Sequence, residues 1–139
     1  MKKQLVSILF ALCMVLCLVP LAAFAEGETE NVRAVTDPNG LFNAMADTNV
    51  TTVKLAADID IDATLKVDRT VTLDLNGYVL KYVSANKGSV IVVKDGGQLT
   101  IEDSNTSKPS HRFNPNGKLW VLDEASGTET VTGGVITGG

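Results

Sequence analysis

The chain has 139 residues, 45% of them hydrophobic and 20% charged, with a net charge of −4. That length accommodates one domain. The acidic balance lacks the basic stripe that nucleic acid or an anionic membrane surface would need in a partner, and excludes both.

The N-terminus reads as an export signal. Met1-Lys2-Lys3 is a short basic start, Leu5 to Val19 is an unbroken apolar run, Pro20 breaks any helix, and Ala23-Phe24-Ala25 supplies a small-residue exit. Cleavage is expected after Ala25, giving a signal peptide over 1–25 and no membrane association afterwards. The alternative, an uncleaved anchor, fits less well because the apolar run falls short of the roughly 20 residues a span needs. Both cysteines, Cys13 and Cys17, lie inside the signal, preceded by Leu12 and Leu16 where a lipoprotein signal would carry small residues. The mature chain therefore contains no cysteine and must be held by burial and backbone hydrogen bonds. It keeps 10 basic against 16 acidic side chains, a net charge of −6.

Residues 26–36 are acidic and polar and read as a flexible leader. Asp37-Pro38-Asn39-Gly40 has turn chemistry, and Leu41, Phe42, Ala44 and Met45 then follow at helical spacing, predicting one short amphipathic helix that ends near Asp47. Everything after Thr51 is short β-rich segments. Val53 and Leu55 alternate with polar residues, as do Ile59 and Ile61, Leu65 and Val67, and Val71, Leu73 and Leu75. Asn76-Gly77 is the dipeptide most suited to a two-residue hairpin, with Tyr78, Leu80 and Tyr82 beyond it. Ser89 to Val93, Leu99 with Ile101, Leu119 to Leu122 and Val131 to Thr137 complete the set. Ile59, Leu80, Ile101 and Leu122 recur every 21 residues, within the range of repeat architectures. Strands this short cannot bury one face alone, whereas stacked coils share a continuous interior. On that reading Leu73 and Ile101 both point inward, and an Asp at either would break the fold.

The runs LAADIDIDATLKVDRTVTLDLNGYVL, SVIVVKDGGQLTIEDS and TVTGGVITGG resemble the opening of right-handed parallel β-helix surface proteins, the pectin-lyase-like proteins exported by gut and other Gram-positive bacteria. The resemblance covers about Leu41 to Gly139. It implies a mainly-β fold, a right-handed parallel β-helix (solenoid) over 37–139 with the short helix capping its first coil. Asn76-Gly77 then becomes a corner between sheets instead of a hairpin. GGVITGG has the look of a coil beginning, so the chain is expected to be the N-terminal portion of a longer one.

Candidate chemistry is sparse. Asp58, Asp60 and Asp62 alternate along one strand, and with Asp74 on the next coil they could offer oxygens to Ca²⁺, the one cofactor considered; a solvated strand face opposite Ile59 and Ile61 explains the same pattern without a metal. A polysaccharide lyase would need a base such as Arg69, Arg112 or Lys118 beside Ca²⁺-binding carboxylates. Trp120 to Glu124 loosely resembles the WxDH stretch of pectate lyases, but Glu124 stands where His is required, and the RxPxxR stretch is absent. His111 is the only histidine, and no Ser sits in a nucleophile-elbow motif. Asp103 to Gly117 is the longest polar insertion, read as a loop of the kind that binds ligands. His111, Arg112, Phe113 and Trp120 are therefore the candidate ligand-binding residues, while Tyr78 and Tyr82 are expected to cover the interior. Asn49-Val50-Thr51 and Asn105-Thr106-Ser107 match glycosylation sequons, and a bacterial-type signal makes them coincidences. Two function classes follow. One is a secreted or cell-surface, non-enzymatic, adhesin-like monomer that binds glycans or proteins. The other is the front of a lyase or glycoside hydrolase whose catalytic residues lie further on.

Overall fold

A computed structural model describes residues 30–107, 110–116 and 119–139. The segment 1–25, expected to be a signal peptide, and both cysteines lie outside the described residues, as does Lys118. The elements in chain order are β1 (Val32–Val35), α1 (Pro38–Ala46), β2 (Thr52–Leu55), β3 (Ile59–Ile61), β4 (Leu65–Val67), β5 (Thr70–Asp74), β6 (Val79–Tyr82), β7 (Ile91–Val93), β8 (Gln98–Glu102), β9 (Ser110–Asn116), β10 (Leu119–Leu122), β11 (Glu129–Thr132) and β12 (Val135–Thr137). The protein is mainly β, with one short helix among the described residues.

Three of its four sheets are parallel. Sheet I has the order β1-β2-β5-β8, sheet II β12-β6-β3, and sheet III pairs β4 with β7. The chain visits them in a fixed sequence: β2, β3, β4, then β5, β6, β7, then β8 and β12. Parallel neighbours cannot be joined by a tight turn, so each strand's partner lies well along the chain. Thr52 sits beside Thr72, and Ile59 beside Leu80, offsets of 20 and 21 residues. The 21-residue spacing stops there. Ile101 lies opposite Leu73, and Leu122 pairs with Phe113 in an antiparallel ladder, because later connections differ in length.

Alternation decides which side chains meet. Val53, Leu73, Ile59, Ile61, Leu65, Val67 and Leu80 are each at most 2% exposed and belong to one apolar cluster drawn from all three parallel sheets. Tyr78 and Tyr82 pack against that cluster, as expected. Ile101 does not. It is 50% exposed, since β8 is the outer strand of sheet I and no described strand covers its far side. The expectation that an Asp there would break the fold is therefore withdrawn, and it stands only for Leu73.

Two local readings change. Asp37-Pro38-Asn39-Gly40 is the first turn of α1 and not a free turn: the Asp37 carboxylate accepts the Gly40 N–H at 2.9 Å, and Pro38 occupies the helix start, where its missing N–H costs nothing. The segment 26–36 is not irregular throughout, because β1 extends sheet I in register with β2. Leu41, Ala44 and Met45 of α1 are buried against the core. The helix end is held by Arg69, whose guanidinium donates to the carbonyls of Ala44 (3.1 Å), Met45 (2.8 Å), Val50 (2.8 Å) and Thr70 (3.1 Å). Ala44 and Met45 belong to the last turn of α1, where a helix leaves its carbonyls short of donors, and Val50 and Thr70 lie outside the helix.

Asn76-Gly77 is a corner. Both residues have positive φ, 49° and 80°, the pair of angles a type I′ turn uses. Yet β5 pairs with β2 and β8, and β6 with β3 and β12, so the turn carries the chain from one sheet to another. Asn76 fixes it by donating from its side-chain amide to the Leu55 carbonyl (3.0 Å) on the preceding pass.

Candidate functional site

The connection between sheets I and II occurs three times. It takes three residues after β2, four after β5, and 32 after β8. The long one, 103–134, contains the fourth sheet, an antiparallel β10-β9-β11, here sheet IV. The stretch expected to be a loop, Asp103 to Gly117, thus contains the central strand of that sheet, β9 over Ser110–Asn116. The Asn114-Pro115-Asn116 segment lies within β9.

All four candidate ligand-binding residues fall on this sheet. His111, Arg112 and Phe113 are consecutive on β9, and the backbone of Trp120 on β10 is registered against Pro115. Alternation then divides them. His111 and Phe113 are each 3% exposed, so neither is accessible to a ligand arriving from solvent, whereas Arg112 faces solvent. His111 is accordingly reassigned from ligand contact to attachment of the sheet, and Phe113 lies on the same buried face.

The attachment has two parts. The His111 ring sits between two acceptors: Nε2 is 2.8 Å from the Gly77 carbonyl at the corner, and Nδ1 is 2.9 Å from Oε1 of Glu124. The other Glu124 oxygen accepts the Arg112 N–H at 3.1 Å. Asp103 forms the second part. Its Oδ1 accepts the Gly77 N–H (2.7 Å) and its Oδ2 accepts the Gly134 N–H (2.6 Å), so one carboxylate joins the corner to both ends of the long connection. Gly134 must be glycine, because a Cβ there would overlap the Leu75 side chain.

Electrostatics follow from these contacts. Burial opposes charge on His111, but the Gly77 carbonyl, the Glu124 carboxylate and the negative charge of Asp58 outweigh it and raise the ring's pKa above its ordinary value. Burial would also raise the Asp74 pKa, yet the hydrogen bonds from Ser104, Asn76 and Lys54 lower it.

The proposed calcium ligands are separated by their duties. Asp58 accepts the Val79 N–H at 2.8 Å. Asp74, 5% exposed, accepts the N–H groups of Asn76 and Ser104, each at 2.9 Å, and pairs with Lys54 at 3.2 Å. Asp60 and Asp62 face solvent, with Asp60 beside Lys81. Among the described residues, no three His, Cys, Asp or Glu side chains are grouped to hold a metal ion. Of the candidate lyase bases, Arg69 is committed to four carbonyls, and Glu124, in the place of the lyase histidine, is bonded to His111.

Asp103 and Glu124 were not legible as functional residues.

The fold and site define a mainly-β domain with parallel sheets and an inserted, outward-facing antiparallel sheet. Residues 32–131 match the family described as "Putative pectate lyase-like adhesive domain", and the chain belongs to that family. No curated protein and no solved structure matches it at a significant level. Among the described residues, no helix is long and apolar enough to cross a membrane.

Proposed function

We propose that the chain is an exported, non-enzymatic, adhesin-like monomer, in which sheets I, II and III are the faces of a right-handed parallel β-helix and sheet IV is presented to a glycan or protein ligand. The repeated order of visits and the parallel registers of 20 and 21 residues support the β-helix. The basic start, apolar run and Ala-Phe-Ala exit support export. One observation carries the functional reading: at the site where earlier passes need three and four residues, the third spends 32 and folds them into a separate sheet. Segments projecting from a rigid scaffold are where binding residues concentrate. Solvent-facing Arg112 on β9 and Val121 on β10 lie on the same face of sheet IV and form the contact region, and the net charge of −6 directs the choice towards ligands other than nucleic acid.

The test is binding of the exported chain to glycan and matrix-protein arrays, with and without residues 104–132 replaced by a four-residue corner. Binding that disappears with the replacement, while the melting transition persists, is the expected result. Binding that survives it, or release of unsaturated products from uronate polymers, would overturn the reading.

A further inference from the structure

His111 is the only histidine in the chain, is almost fully buried, and uses both ring nitrogens at the joint between sheet IV and the Asn76-Gly77 corner. Both of its partners, a backbone carbonyl and a carboxylate, can only accept hydrogen bonds. A neutral imidazole has one N–H, so it can serve one of them and must turn a lone pair towards the other. The imidazolium, with two N–H groups, serves both.

We propose that His111 is a proton-controlled latch that clamps sheet IV to the corner when the ring is charged and loosens it when the ring gives up its proton to solvent. This rests on sheet IV being the presenting element and adds its regulation.

The charged groups around the ring are arranged for this. Glu124, from the segment between β10 and β11, bonds Nδ1 and is half exposed, so the proton has a path to water. Asp58, from the segment before β3, adds negative charge from the scaffold side. Asp103 binds the N–H of the same Gly77 whose carbonyl bonds Nε2. From β11 the residue registered against His111 is Val131, which does not titrate, and Arg112 lies on the opposite face of β9. The nearby ionisable side chains are thus acidic, and each favours the imidazolium. The direction is fixed by the raised pKa of the folded ring. Its stabilisation is complete below the unfolded-state value of about 6.5 and is lost as pH rises through the folded-state value. Sheet IV is clamped in mild acid and released on the alkaline side.

Because there is one histidine, its ring resonances identify themselves in a proton NMR titration of the full chain. The same samples are followed by amide hydrogen exchange, with rates corrected for the intrinsic effect of pH. The latch requires protection in 110–132 to fall about tenfold or more as the ring titrates, the loss of one charge-assisted hydrogen bond, while amides of 52–82 hold steady. Glu124→Gln should move the ring's titration to lower pH and the exchange transition with it. His111→Gln, if folded, should abolish the transition. Protection in 110–132 that stays constant while the ring titrates would overturn the latch, as would a transition that Glu124→Gln leaves in place. Neither outcome touches the array experiment, so the latch and the binding reading fail separately.

Discussion

Sheets I to III and sheet IV are built on different principles within one short chain. The parallel sheets are held by a shared apolar interior, in which Leu73, Ile61 and Leu80 have no exposed surface. Among the described residues, sheet IV contributes few buried side chains, with Val121 of β10 48% exposed, and is fastened by Asp103 and His111. Burial is non-directional and spread over many contacts, so the scaffold changes little with solution conditions. Charged hydrogen bonds are few, directional and titratable, so the attachment of sheet IV responds to the protonation of a single ring at His111.

The largest expected effect comes from attacking the scaffold. Leu73→Asp should abolish the cooperative melting transition, because an unpaired carboxylate in that interior costs several kcal/mol. Ile101→Asp, on the exposed outer strand, should leave a soluble protein with a transition shifted by less than about 1 kcal/mol. Equal damage from both would contradict the inside–outside assignment. Asp103→Ala should cost about 1–3 kcal/mol by leaving the N–H groups of Gly77 and Gly134 without their acceptor. That loss should appear as protease sensitivity within 103–134 before the core melts, and uniform destabilisation would show the two regions to be one cooperative unit. Arg69→Met should cost a similar or smaller amount and be read as reduced helical dichroism with sheet IV unaffected, since the freed carbonyls belong to the end of α1 and its surroundings. Lys54→Met should cost at most about 1 kcal/mol, because the ammonium is one-third exposed and Asp74 keeps its two N–H donors. Calcium should leave the melting temperature unchanged, and a clear rise would restore a metal role to the aspartates.

The two regions also differed in how well the sequence disclosed them. Ile59, Ile61, Leu65, Val67 and Leu73 announce their strands through period-two alternation, and the corner at Asn76-Gly77 could be inferred from the resemblance. The helix was placed correctly, although its Asp-Pro start was taken for a turn, since N-caps and turns draw on the same residues. The central strand of sheet IV, β9, was hidden, although β10 was expected at Leu119 to Leu122, because Ser110 to Asn116 is polar and contains Pro115, a residue that argues against a central strand. Pro115 is tolerated because β11 covers only Ser110 to Phe113, so β9 has a neighbour on one side at that point. The candidate site was half visible. Residue type drew His111, Arg112, Phe113 and Trp120 together, but inside and outside could not be separated without knowing that the segment is a strand. Asp103 and Glu124 act through partners 26 and 13 residues away, distances at which no local pattern speaks.

Asp103 has one more consequence. By binding Gly77 and, through its other oxygen, Gly134, it brings the beginning and end of the long connection to a common point. A segment whose ends already meet can be exchanged for another without moving what lies beneath it, and the entropic cost of a longer loop grows only with the logarithm of its length. The third corner is therefore a socket into which the scaffold can receive foreign sequences, as a grafting position for peptides or small domains.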